Sequence, residues 1–295
     1  MWYSGVMRMS SCEWDSTIDK TGIAAAQGER KYMEDRASIG TVSLPHDRNE
    51  PGAAIRYLYA GVFDGHGGSS AADMASKQLR KIVEREGCRR NLETSLQGAF
   101  QKLDSEYRQL HRNDDVGSTV SIALVSHDEI CTVNLGDSRV VLCRGGQAIA
   151  LSKDHKADDP EEQQRIQFLG GQVHPHKLFG LFPVGPGRIY SANAGGLAVS
   201  RAIGDFKYKL GRFLVSNTPD VKVVERSEND QFLVLATDGL WDVLSNQEVC
   251  GIARARPDAQ SASEALVSAA FSKGSGDNVT VVVVPLSEHA FINSS

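Results

Sequence analysis

Tyr57–Lys77 reads YLYAGVFDGHGGSSAADMASK, and the fold depends on why its apolar run stops at Asp64-Gly65-His66-Gly67-Gly68. Taken alone, Asp-Gly is a turn, because both residues accept the backbone angles that end a strand. Beyond it, Ser69 or Ser70 precedes Ala71, Ala75, Leu79, Ile82 and Val83, an apolar stripe at helical spacing. A strand thus delivers a carboxylate, a glycine and an imidazole to its end, just before a helix starts.

The same ending recurs. FLVLATDGLWD runs an apolar strand into Asp238-Gly239, SGDNVTVVVV sets Asp277 at a strand entrance, and TVNLGDSR leaves Asp137 at a strand exit. In an antiparallel sheet the end of one strand lies beside the start of its neighbour, so Asp64, Asp238 and Asp277 can share one sheet edge. Carboxylates gathered there repel one another unless a cation sits between them. The donors are all oxygens, which suits Mg²⁺ or Mn²⁺ rather than Zn²⁺. Gly65 adds a backbone carbonyl that a side chain would hinder from approaching a metal. Upstream, AAQGERKYMEDRAS carries Arg30 ahead of Glu34 and Asp35. By itself this is a solvated charged turn, although Arg is the side chain best shaped to grip a phosphate.

Periodicity supplies the frame. SIALVS and ICTVNLGD flank HDE as a hairpin, and RVVLCRGGQAIAL continues it through Gly-Gly. GIAAAQ, IRYLYAGVF, DVKVVE, QFLVLAT and NVTVVVV are further strands. Asn91 opens a second helix bearing Leu92, Leu96, Phe100, Leu103 and Tyr107. Asp159 caps a third, with Pro160 at its first position, Glu162 reaching back and Gly170-Gly171 ending it. Ser245 with Glu248, and Ser261 with Glu264, have capping-box spacing. Helices and hairpins fall in separate blocks, which predicts an α+β architecture on antiparallel sheet. There is no internal repeat or low-complexity linker, so one continuous domain over 1–295 is expected. Residues 172–196 are rich in Gly, Pro and His and lack a period; they read as a long binding loop or lid. His174 and His176 have H-x-H spacing but read as exposed loop residues, since the carboxylates already account for metals.

Composition narrows the classes. The chain has 295 residues, 41% of them hydrophobic, and a net charge of -5, against a broad basic face for nucleic acid. No apolar run is long enough to span a bilayer. The N-terminus MWYSGVMRMSSCEWD lacks the layout of a signal peptide, and Trp2 removes the glycine that myristoylation needs. Cys12, Cys88, Cys131, Cys143 and Cys250 are scattered and odd in number. They read as reduced thiols of a cytoplasmic or nuclear protein. No G-x-x-x-x-G-K-[ST] occurs, and GDFKYK lacks the context of a kinase D-F-G, which removes a nucleotide-binding kinase or ATPase.

QGERKYMEDR, VFDGHGG, GSTV, NLGDSRVVLCRGGQAIALSKDHK, LAVSRAIGDFKYK, TPDV, LATDGLWDVLSNQE and GDNVTVVVV resemble, in order, the signature segments of the metal-dependent serine/threonine protein phosphatases of type 2C. The likeness runs from about Thr21 to Leu286. It implies a four-layer sandwich, two antiparallel β-sheets flanked by antiparallel helix pairs, with two Mg²⁺ or Mn²⁺ ions at one end. It also implies hydrolysis of phosphoserine or phosphothreonine in protein substrates by in-line attack of a metal-bridging water. By resemblance Asp64 bridges the two metals and Gly65 gives a carbonyl ligand. Asp238 and Asp277 complete one metal, and Glu34 serves the other with Asp35 close behind. Arg30 is the phosphate-gripping arginine, His66 the general acid, and Asp137 and Asp242 match a weaker third-ion site. Gly204 and Asp205 fall in a matching motif without an assigned role. The segment 172–196 looks like an extended flap beside the site. A monomer without nucleic-acid or membrane partners is expected, and a catalytically inactive binding scaffold is the alternative reading.

Overall fold

A computed structural model describes residues 17–47, 54–111, 115–178, 182–191, 194–287 and 290–291. One five-stranded antiparallel sheet runs in the order Gly22–Ala26, Val279–Pro285, Asp230–Ala236, Arg139–Arg144 and Gln147–Ala150. The other runs Asp220–Glu225, Glu129–Leu135, Val120–Val125, Ile55–Phe63 and Arg36–Leu44.

Side-chain alternation along the strands separates three apolar cores. Leu58, Ala60 and Val62 of one sheet meet Val140, Leu142, Leu233, Leu235 and Val282 of the other inside the sandwich. The intervening Tyr57, Tyr59 and Phe63 point outward onto Leu79, Val83, Leu96 and Phe100, from the helices Ser70–Glu86 and Leu92–Leu110. On the opposite outer face Val141, Phe232, Val234 and Val281 pack against Val249, Ala262 and Leu266, from the helices Asn246–Arg254 and Ala259–Ser272. The fold is therefore α+β, a helix pair, two sheets and a second helix pair. With both faces of each sheet covered, Val120–Val125 and Glu129–Leu135 are buried at every residue. In these central strands only the ends remain open for chemistry.

Several local expectations need correction. Residues 172–196 are not a loop: Gln172–Leu178, Phe182–Ser191 and Ala194–Leu197 form a three-stranded antiparallel sheet. Prolines and a register shift between Pro175 and His176 hide its alternation from the sequence. His174 lies exposed on its first strand beside Gln172 Oε1 at 3.3 Å; the His176 side chain lies outside the described residues. The Ser245–Glu248 capping box forms as expected. The Ser261–Glu264 box does not, because the helix starts earlier: Asp258 caps it by accepting from Ser261 N, and Glu264 accepts from Gln260 Nε2. Ser69 and Asn91 hold N-cap positions without capping through their side chains. Asp159 does cap, but Glu162 turns away to Arg165 and Arg201. Cys88, Cys131, Cys143 and Cys250 are buried free thiols; Cys12 lies outside the described residues. No helix among the described residues is long and apolar enough to cross a membrane.

Candidate active site

The carboxylates anticipated at strand ends meet at one end of the sandwich. Asp64 follows Ile55–Phe63, Asp238 follows Asp230–Ala236 through Thr237, and Asp277 precedes Val279–Pro285. A cavity of about 350 Å³ is lined by Arg30, Glu34, Asp64, Gly65, His66, Asp137, Asp238, Asp242 and Asp277. All the residues assigned to metals, phosphate and acid thus share one wall system. Within it the tightest group is Asp64, Asp137 and Asp238, each offering an oxygen within 4.8 Å of the others. Asp277 stands slightly apart, bound by Arg30 Nη2 at 2.5 Å.

Electrostatics registers this crowding. Burial pushes the Asp64 carboxyl well above the ordinary range, and Asp35, Asp238, Asp137 and Asp277 push it further. Asp137 is raised by burial and Asp238, against the pull of Lys156. Burial, with Asp242 and Asp277, raises Asp238 to about 6. Asp35 rises to about 7, chiefly through burial, with the Thr237 hydrogen bond opposing and Asp238 and Asp277 adding to the rise. The buried Asp35 accepts from Thr237 Oγ1 at 2.9 Å through Oδ2, while its Oδ1 makes no well-formed hydrogen bond. Asp35 therefore stands behind Asp238, not beside Glu34 at the cavity wall.

These observations test the site for a divalent ion. Massed carboxylates held against their own repulsion and all-oxygen donors fit a hard cation, and no thiol lines the cavity. Gly65 is required by close approach: a Cβ there would lie 2.6 Å from the Glu34 carbonyl oxygen. On the far side Lys156 Nζ donates to Asp242 Oδ1 at 2.8 Å.

Two residues without an assigned role prove to be supports. Asp205 Oδ2 lies 2.8 Å from His66 Nε2. Burial alone would lower the His66 pKa, but the Asp205 charge and hydrogen bond outweigh it and hold the imidazole above its ordinary value. Asp205 adopts φ 55°, a left-handed conformation uncommon outside glycine, and its N–H donates to Val116 O. Asn278 accepts from Glu34 N and donates to the carbonyls of Gln27 and Tyr32, at 2.7–3.0 Å. It clasps the loop that carries Arg30 and Glu34 to the segment that carries Asp277 into the strand Val279–Pro285. Asn278→Ala should lower the unfolding free energy by about 2 kcal/mol, since three bonds go and buried partners are left unpaired. It should also weaken metal binding about tenfold, as loss of a support behind a ligand does; chemical denaturation and calorimetry measure the two.

Comparison with known proteins agrees with this geometry. The family model "Protein phosphatase 2C" matches residues 20–279. The chain belongs to the protein phosphatase 2C family. It is 39% identical over 266 residues to "Probable protein phosphatase 2C 59" of Arabidopsis thaliana, covering 89% of this chain and 78% of that one. It is 35% identical over 291 residues to "Protein phosphatase 1B" of Rattus norvegicus, covering 89% and 69%. The crystal structure of a serine-threonine phosphatase 2C from Toxoplasma gondii superposes with a TM-score of 0.72 at 25% identity, over 90% of this chain and 94% of that one. Membership supports protein phosphatase activity and implies dependence on divalent metal.

Proposed function

We propose that this chain hydrolyses phosphoserine and phosphothreonine in proteins, using Mg²⁺ or Mn²⁺ at the carboxylate-lined cavity. One observation carries the reading: Asp64, Asp137 and Asp238 crowd within 4.8 Å in a cavity that also holds Arg30 and His66. Asp64, Asp238, Asp277, Glu34 and the Gly65 carbonyl would hold two ions, with Asp137 and Asp242 able to take a weaker third. When bound, such ions supply a water of lowered pKa and offset charge on a phosphomonoester.

The remaining work falls to the chain's own groups. Arg30, its side chain 60% exposed, lines the cavity, where paired N–H donors can grip phosphoryl oxygens and offset charge in the transition state. His66 is 26% exposed in its side chain and carries Asp205 on Nε2, leaving Nδ1 for the departing oxygen. A serine or threonine alkoxide leaves poorly without a proton, so an imidazole held protonated by Asp205 suits the general-acid role. Every position that the family likeness assigns is filled, which disfavours an inactive scaffold.

The deciding experiment is hydrolysis of a phosphothreonine peptide with Mn²⁺ and with EDTA. Activity is expected with the metal and lost with the chelator; activity surviving chelation would reject the reading. His66→Ala should slow a phosphothreonine peptide about tenfold or more beyond any loss with p-nitrophenyl phosphate, whose leaving group needs no proton. Equal losses on the two substrates would remove His66 from that role.

A further inference from the structure

A second cleft adjoins the cavity, about 520 Å³ in volume and lined by Glu29, Arg30, Gly239, Asp242, Val243 and the loop Gly274–Asp277. Arg30, Asp242 and Asp277 belong to both, so the cleft is a continuation of the site past the phosphate-gripping arginine. Its lining is sparse in side chains: Gly274 and Gly276 carry none, Gly239 contributes backbone packed against Asn278 O, and Val243 gives a single apolar contact. Such a channel admits an extended polypeptide close to the backbone.

Charge then selects what lies in it. The Glu29 carboxylate makes no hydrogen bond or ion pair among the described residues, although Glu29 N is fixed to Gly276 O at 3.0 Å. Nearby cations are engaged elsewhere. Arg30 is on Asp277, Lys156 on Asp242, Lys273 on Glu248 at 3.3 Å, and Lys31 over the Tyr32 ring. An exposed, uncompensated acid thus overlooks a sparsely lined channel that leads from the phosphate position.

We propose that this cleft takes the polypeptide flank of a phosphoprotein substrate and that Glu29 favours a basic residue there. The inference rests on the phosphatase reading, and it adds a specificity determinant outside the metal centre. Glu29 lies within the Gln27–Arg30 turn, which Gln27 Nε2 closes on Arg30 O and Asn278 clasps at Gln27 O, so its carboxylate has a fixed origin.

The test uses the full chain with Mn²⁺ and phosphothreonine peptides in which each flanking position in turn is Arg, Ala or Glu. Wild type should favour Arg over Ala at one position by about three- to fivefold in kcat/KM, the size of an exposed ion pair. The preference should shrink at about 0.5 M salt, where screening shortens the reach of surface charge. Glu29→Gln should bring that ratio to near unity, and Glu29→Lys should invert it in favour of Glu. The ratio is read within each variant, so a general loss of activity does not mimic the effect. A wild-type ratio near unity at every position, or one unchanged in both variants, overturns the proposal. Wild type hydrolysing p-nitrophenyl phosphate while ignoring flanks would sink this inference alone. Wild type hydrolysing nothing would sink the phosphatase reading beneath it.

Discussion

Asp64→Asn is expected to cut kcat/KM toward a phosphothreonine peptide by at least about a thousandfold, roughly 4 kcal/mol of transition-state stabilisation. The same change should make the metal-free protein harder to unfold. Asp64 is the carboxyl most hemmed in, buried and facing Asp35, Asp238, Asp137 and Asp277, and an amide of nearly the same shape relieves that repulsion. The melting temperature in EDTA should therefore rise by about 2–4 °C. Scanning calorimetry in EDTA and steady-state kinetics in Mn²⁺ measure the two effects. Opposite signs for stability and activity are the diagnostic. A variant that loses both has merely been damaged, and one that retains activity removes Asp64 from the centre.

Metal removal should change the pH dependence of stability, not only its size. Burial and neighbouring carboxylates raise Asp35 to about 7 and Asp238 to about 6. A carboxyl whose folded pKa lies above its unfolded value stabilises the fold fully below the unfolded pKa, and that contribution is lost as pH rises through the folded one. In EDTA the protein should thus weaken as pH climbs from about 4 to about 7, through the window these two groups define. On the proposed ligand set Mn²⁺ would take Asp238 in its ionised form, so its affinity should grow over the same range. An ion held at a hundred times its Kd stabilises by about 2.7 kcal/mol. The gap between melting temperatures with Mn²⁺ and with EDTA should widen from pH 5.5 to pH 7.5, roughly the span in which these groups ionise. A gap that stays constant would show that the buried acids do not hold the metal.

Much of this was legible in the sequence because a strand end is a local signal. Apolar runs that halt at Asp64, Asp238 and Asp277 mark both the strands and the edge on which they meet. Arg36–Leu44 carries no clear strand signal: its sequence RASIGTVSL mixes small and polar residues, and most of them are only half buried at the sheet edge. Asp205 and Asn278 lie within motifs whose spacing assigns them no role, for a common reason. Their partners lie far away in sequence, His66 being 139 residues from Asp205 and Glu34 being 244 from Asn278. Tertiary packing creates such supports, and no spacing rule announces them. Nor could periodicity show that Asp137, not Asp277, closes the tightest carboxylate group, because Arg30 draws Asp277 aside.

The three-stranded sheet over 172–197 rests on a small core of its own. Ala157, Ile166, Val173, Ile189, Val199 and Leu214 form a cluster separate from the three that hold the sandwich together. Yet its Arg188 and Leu197 reach the wall of the catalytic cavity. An appendage with independent foundations can be lengthened, trimmed or rebuilt with little disturbance to the cores on which the carboxylates stand. Changes confined to that sheet should therefore alter the cavity's rim while leaving the carboxylate framework in place.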